Sequence, residues 1–331
     1  MSFDGSQNQI KTGIKNTYNQ YRTQYLLPKI KQTYHRLPEG IKSTARESYY
    51  FVNPRRSWMQ LKEKQRAYDH FVDRFFETEK EYQAYKDEFL ETDIYNICMS
   101  SRKEVDPPHY FFDAHLNTCV NYYSLIRKYE PKVLLETGVY NGVATLSMLL
   151  ALQKNGTGRL YSIDNSKNID NPRETDVRGD GGAVNRDRFY SRRGQSCGDS
   201  AIVPENKGPG WIIPDELENE WVLTEGDSRD VLPGVLEELG EIDFFVHDSE
   251  HSNARMFFEF ELVWNHLSQA GIMLSGHVAQ NDAFETFAEE RSCDHGFYDV
   301  LWDPEPHPDS CYSSRKPCRS GYLTKGEAKP T

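Results

Sequence analysis

The sequence predicts an α/β fold: a doubly wound, mostly parallel, seven-stranded sheet preceded by a helical extension. Three observations lead there. From Lys132 onward short apolar runs alternate with helical patterns, the mark of a parallel sheet covered on both faces. The first run, Val133-Leu134-Leu135-Glu136-Thr137, enters the glycine turn Gly138-Val139-Tyr140-Asn141-Gly142, and the next run ends on Asp164. The last two runs are joined by a loop with no helical pattern, which suits an antiparallel pair at the sheet edge.

Taken in order, residues 8–45 read as an amphipathic helix, with Ile10, Ile14, Tyr18, Tyr21 and Tyr25 at steps of three or four and an interruption at Pro28. Residues 58–100 are rich in aromatics and mixed charge, and read as one or two helices leading into the core. Asp106-Pro107-Pro108 is a break, and 111–129 reads as a further helix. Strands are expected at 132–137, 159–164, 221–225, 242–247, 271–276, 297–302 and 319–324. Helices are expected near 142–153, 228–239, 253–268 and 282–290. The organisation is therefore an extension over 1–110 and a sheet domain over 111–331. A polar insertion at about 165–210 carries seven glycines and six arginines; a structureless stretch of this length is a floppy insertion or a lid.

The chain's net charge of −12 hides an asymmetry: residues 1–66 carry +9, which leaves −21 for the rest. So acidic a body disfavours nucleic acid as a partner, because phosphate binding rests on Lys and Arg. For the basic stretch 8–45 the alternatives are packing on the domain or on a second subunit, as in a homo-oligomer, and peripheral contact with an anionic membrane surface. No apolar run reaches the ~18 residues of a spanning helix, and the first residues lack the layout of a secretory signal. The six cysteines form no C-x-x-C pair, which fits free thiols in a cytoplasmic protein.

The glycine turn is the most informative segment. A turn of this kind with a carboxylate at the tip of the next strand holds the nucleoside end of a cofactor, the acid taking the ribose hydroxyls. The spacing here is G-x-x-x-G, not the G-x-G-x-x-G that presents a helix N-terminus to a pyrophosphate. Glu136, two residues before Gly138, would repel a pyrophosphate and suits a cationic ligand with a free amino group. The pattern resembles motif I of the class I S-adenosylmethionine-dependent methyltransferases. That resemblance implies a Rossmann-like sheet with an antiparallel seventh strand, and S-adenosylmethionine as cofactor. It implies contacts to the cofactor from Glu136, Gly138, Tyr140, Gly142, Asp164, Asp227, Ser228 and Asp248. Asp227 and Ser228, in a Gly-Asp-Ser turn that opens a helix, read equally as helix caps.

The segment Asp243-Phe244-Phe245-Val246-His247-Asp248-Ser249-Glu250-His251-Ser252 ends a strand in a dense run of ionisable groups. With the residues that follow it, this segment is similar to a branch that includes macrolide-sugar O-methyltransferases and cephalosporin-hydroxylase-like proteins. The resemblance covers about 110–325 and implies a small-molecule acceptor such as a sugar, Asp248 as a Mg²⁺ ligand and His251 as general base. His247 should point to the opposite side by alternation. The departure is at the next strand end, where Gly276-His277 stands in place of the branch's carboxylate pair. Three outcomes stay open: a changed metal held by Asp248, His251 and His277; no metal, with His251 or His277 as a free base; or lost chemistry on a retained cofactor pocket. Asn281 lies within reach as a further contact to acceptor or metal. Beside methyl transfer to a hydroxyl oxygen, two readings remain: a silent binding or assembly protein, and a metal-dependent oxygenase on the same fold.

Overall fold

The computed structural model describes residues 54–101, 104, 115–165, 207–279, 281–301 and 318–326. The expected helix over 8–45, the break at 106–108 and the middle of the 165–210 insertion lie outside the described residues. By internal contacts the chain forms two units, Met1–Met59 and Gln60–Thr331, and the whole sheet belongs to the second.

The described chain starts with four helices: α1 (Pro54–Phe75), α2 (Glu79–Leu90), α3 (Ile94–Ser101) and α4 (His115–Tyr129). The sheet region comes next as β1 (Val133–Thr137), α5 (Val143–Asn155), β2 (Arg159–Asp164), β3 (Trp221–Glu225), α6 (Ser228–Leu239), β4 (Ile242–His247) and α7 (Asn253–His266). It ends with β5 (Leu267–Ser275), α8 (Ala283–Arg291), β6 (Asp294–Leu301) and β7 (Cys318–Thr324). The expected strands, and the helices expected within the described residues, are present, and the 58–100 region is three helices rather than one or two. The sheet order is β3-β2-β1-β4-β5-β7-β6. Strands β1 to β5 are parallel, and β7 inserts antiparallel between β5 and β6. This is the α/β sheet with an antiparallel seventh strand that the sequence predicts.

Alternation within the strands builds two cores. Leu134, Phe244, Ile272, Leu274 and Tyr322 face one side, where α1 to α5 contribute Phe71, Tyr82, Phe89, Tyr122, Leu125 and Leu149. Their sequence neighbours Leu135, Phe245, Met273 and Leu323 face the other, against Leu236, Met256, Phe260 and Phe287 of α6 to α8. Burial on both faces is why these strands read as continuous apolar runs. The same alternation sends Glu136 to the first side, and Thr137 and His247 to the second.

Two boundaries moved for local reasons. β5 begins at Leu267, directly after α7, and not at 271. Ser268, Gln269 and Ala270 lack the apolar signal because they sit at the frayed start of the strand, where the pairing with β4 is irregular between Ile242 and Phe244. β6 begins at Asp294, since the edge strand is only partly buried and its polar residues hide it.

Candidate active site

The carboxyl ends of β1, β2, β3, β4 and β5 meet along one edge, where open α/β sheets bind ligands. The turn after β1 is built by backbone conformations that favour glycine: φ is +92° at Gly138, +54° at Tyr140 and +95° at Gly142. A Cβ on Gly138 would lie 2.3 Å from the carbonyl oxygen of Asp248 at the end of β4. The turn is thus pressed against the next strand end, and only a glycine lets it approach. Gly138→Ala should lower both thermal stability and ligand affinity, the latter at least ~10-fold, as read by melting and cofactor titration; a variant matching the parent in both would contradict this packing.

Asp164 sits at the tip of β2, and its Oδ2 accepts hydrogen bonds from the Val139 amide (2.6 Å) and the Tyr140 amide (2.8 Å). It is 6% exposed. The structure therefore brings the carboxylate and the glycine turn together, as the sequence implies, and adds that the acid pins the turn. Glu136 lies beneath. It is fully buried, with Thr145 and Ser162 donating to its carboxylate at 2.9 and 2.7 Å. Burial, reinforced by the negative charges of Asp248 and Asp164, overrides those hydrogen bonds and pushes its pKa up to about 8.

The return of the insertion packs on the same turn. The Gly210 amide donates to the Tyr140 carbonyl at 2.8 Å, and the Trp211 indole donates to Asn141 at 2.7 Å. A Cβ on Gly142 would lie 2.8 Å from the Cα of Gly210.

Asp227 and Ser228 both serve the start of α6. Asp227 accepts from the Arg229 amide at 2.9 Å as N-cap, and its carboxylate is paired with Arg255 of α7 at 2.6 Å. That guanidinium holds the Asp227 carboxyl below the usual carboxylate range. The Ser228 hydroxyl is buried and turned inward, donating to Glu259 and accepting from Arg255. Asp227 thus caps α6, whereas the Ser228 hydroxyl joins α6 to Glu259 and Arg255 of α7.

Sequence reasoning missed the hub of this edge. Glu259, on the buried face of α7, is fully buried and accepts from Thr137 Oγ1 (2.6 Å), Ser249 Oγ (2.9 Å) and Ser228, and pairs with His247 Nδ1 at 2.8 Å. Burial alone would raise its pKa, but His247 and the three hydroxyls outweigh that and hold it below the ordinary value. The one signal in the sequence is spacing: Arg255 and Glu259 are four apart, beside the buried stripe Met256, Phe260 and Val263.

Beyond β4, Asp248, His251 and His277 converge. One ligand atom from each lies within 4.8 Å of the others. His251 Nε2 is 3.4 Å from Asp248 Oδ1, and the His251 and His277 rings are 4.5 Å apart between centroids. Burial lowers the His251 pKa against the opposing pull of Asp248, so its imidazole is neutral near pH 7. His277 holds φ +53°, a left-handed conformation uncommon for any residue but glycine. His247 points the other way, as alternation requires. Asn281 is committed elsewhere: its Nδ2 donates to the His251 carbonyl at 2.9 Å and its Oδ1 accepts from the Ala283 amide at 2.8 Å. It fixes the His251 loop to the start of α8.

Among the described residues, Cys98, Cys119 and Cys293 are free thiols, with burial raising Cys98 and Cys119 to about 12. No helix among the described residues is long and apolar enough to cross a membrane.

Residues 135–278 match the family model described as a methyltransferase domain. None of the curated proteins searched matches the chain. The fold is similar to that of an O-methyltransferase from Bacillus cereus in complex with SAH, at 10% identity and TM-score 0.42, covering 71% of this chain and 91% of that one. It is similar also to the O-methyltransferase TomG from Streptomyces achromogenes, involved in tomaymycin synthesis and solved with SAM, at 13% identity, TM-score 0.42 and the same coverage. The family match spans residues 135–278, which hold strands β1 to β5 and the glycine turn after β1, so a methyltransferase domain is what this part of the chain is similar to.

Proposed function

We propose that the chain transfers the methyl group of S-adenosylmethionine to a hydroxyl oxygen of a small molecule, with sugars and other polyhydroxylated acceptors as the leading class. The observation that carries the reading is the single sheet edge on which the glycine turn, Asp164 and the Asp248–His251–His277 group stand side by side. The residues suit this cofactor. The turn lets backbone approach closely at Gly138, and the acidic groups Glu136, Asp164 and Asp248, the first of them ionising only when a cation is near, favour a cation over a pyrophosphate.

S-adenosylmethionine, when bound, would supply an electrophilic methyl on a sulfonium, whose transfer to a hydroxyl oxygen would leave S-adenosylhomocysteine and a methyl ether. The rest falls to the protein. Asp164 and the turn would fix the nucleoside, and Glu136, protonated in the empty site at neutral pH, would ionise beside a bound cation at the amino-acid end. A hydroxyl is a poor nucleophile while protonated, so a group must receive its proton. In the absence of a bound cation, that group is the neutral His251 imidazole, oriented by Asp248 at 3.4 Å.

Isothermal titration of S-adenosylmethionine into the full chain tests the reading. Micromolar binding is expected, with Asp164→Ala weakening it by at least ~100-fold, since the acid both meets the ribose and pins the turn. No binding to the parent, or undiminished binding to the variant, would defeat it. The alternative of a silent assembly protein predicts binding with no turnover across an acceptor screen.

A further inference from the structure

We infer that Asp248, His251 and His277 form a site for a transition-metal dication of the Zn²⁺, Co²⁺ or Fe²⁺ kind, and that this site does not suit the Mg²⁺ that the resemblance implies. The inference goes beyond methyl transfer, and neither its argument nor its test requires turnover.

The donor set comes first. Mg²⁺ takes oxygen ligands in near-ideal octahedral geometry, and a site with two imidazoles and one carboxylate fails that demand. Imidazole nitrogen suits Zn, Co, Fe and Ni, and three protein ligands with open positions are the usual form of a site that also meets a substrate. The geometry fits as well. Two donors bound to one ion at about 2.1 Å, at angles near tetrahedral, lie about 3.4 Å apart. That is the separation of His251 Nε2 from Asp248 Oδ1, 3.4 Å. The third ligand atom, from His277, lies within 4.8 Å of both.

Three further observations mark the place as built. His251 Nε2 is shielded from solvent and has no hydrogen-bond partner among the described residues. A buried ring nitrogen without a partner is costly, and an ion would satisfy it. Gly276 keeps the space open: a Cβ there would lie 2.6 Å from Asp248 Oδ1 and 3.6 Å from His251 Nε2. Finally, each ligand is anchored from behind. Asn281 holds the His251 carbonyl at 2.9 Å, and the Asp248 amide donates to the Thr137 carbonyl at 2.8 Å. The Gly276 amide donates to the His247 carbonyl at 3.0 Å, setting the chain just before His277. Fixed supports of this sort keep a ligand set in place before the ion arrives. With an ion bound, the His251 lone pair would be occupied and the imidazole could not act as a base; the ion would supply Lewis acidity to a hydroxyl held at its open positions.

The test uses the full chain, free of affinity tags and stripped of metal, titrated calorimetrically with Zn²⁺, Co²⁺ and Mg²⁺, and followed by the visible absorption of the Co²⁺ form. One ion per chain is expected, with Zn²⁺ and Co²⁺ bound at micromolar Kd or tighter and Mg²⁺ at least 100-fold more weakly. His277→Asp, a residue that tolerates the left-handed backbone, should narrow the Zn²⁺ to Mg²⁺ preference at least tenfold; His251→Ala should weaken Zn²⁺ at least tenfold and change the Co²⁺ spectrum. Thermal melting of each variant distinguishes a lost ligand from a lost fold, and in a variant that melts early the comparison is made at a temperature where it is folded. Zn²⁺ affinity no tighter than millimolar, equal affinity in parent and both variants, or a preference for Mg²⁺ would overturn the inference. S-adenosylmethionine titrated into the same metal-free protein separates this failure from that of the methyl-transfer reading, since that reading rests on Asp164 and the glycine turn, neither of which is a metal ligand.

Discussion

Glu259→Ala is expected to destabilise the protein by about 3–5 kcal/mol, the order of cost of removing the charged centre of a buried hydrogen-bonded cluster. The change would strand the Thr137, Ser228 and Ser249 hydroxyls and the His247 ring in a site where Glu259 and His247 have no exposed surface. For a domain of this size that is a drop in Tm of roughly 6–15 °C. The effect should reach function too. Thr137 ends β1, Ser228 starts α6, and His247 and Ser249 flank the end of β4, so one carboxylate ties together three of the loops that form the ligand edge. Cofactor affinity should therefore fall in Glu259→Ala even at temperatures where it is folded. Glu259→Gln, which keeps an acceptor and the shape, should fall between. The carboxyl's pKa is held below its ordinary value, so this stabilisation is present above about pH 4.5 and is lost as pH drops through the lowered folded value. A Glu259→Ala variant melting like the parent at pH 7 would show that the hub does not carry the edge.

The contrast between Glu259 and the glycine turn shows what a sequence can reveal. The turn is local: Gly138, Tyr140 and Gly142 need left-handed backbone within five residues, and Asp164 comes one strand later, so spacing alone displays it. Strand positions were legible for a similar reason, because burial on both faces leaves unbroken apolar runs such as Leu134-Leu135 and Phe244-Phe245-Val246. Glu259 is a different case. Its partners lie 122, 31, 12 and 10 residues away, on elements whose relative placement only the fold supplies. The same limit explains Asn281, whose amide is spent on the His251 loop and the start of α8. It explains Asp227 as well. A Gly-Asp-Ser turn signals both a cap and a ligand contact, and Arg255, which pairs with Asp227 at 2.6 Å, comes from another helix. His251 and Asp248 were found together because they are three apart across one turn, whereas the convergence of His277 with them depends on β4 and β5 being neighbours.

Glu136→Gln is expected to act in the opposite sense to the Glu259 change, raising stability at neutral pH. The folded protein holds the Glu136 proton up to about pH 8, while the unfolded chain gives it up near 4.5. In the window between those values the folded state binds more protons than the unfolded, so stability falls as pH rises. By pH 7 the loss amounts to about 3 kcal/mol, at 1.36 kcal/mol per pH unit, reduced by whatever relaxation the buried site allows. Glutamine does not titrate, and it still offers an oxygen to Thr145 or Ser162. The gap in Tm between variant and parent should therefore be small at pH 5 and widen steadily to pH 7.5. Parallel Tm curves across that range would contradict the assignment. The same carboxyl also explains why the parent keeps a destabilising acid under its glycine turn. A cation bound at this edge favours the charged form of Glu136, so binding of a sulfonium ligand at pH 7 should release protons from the parent and fewer from Glu136→Gln. Titrations in two buffers of different ionisation enthalpy read that difference directly, and equal proton release from both proteins would place the ligand's charge away from Glu136.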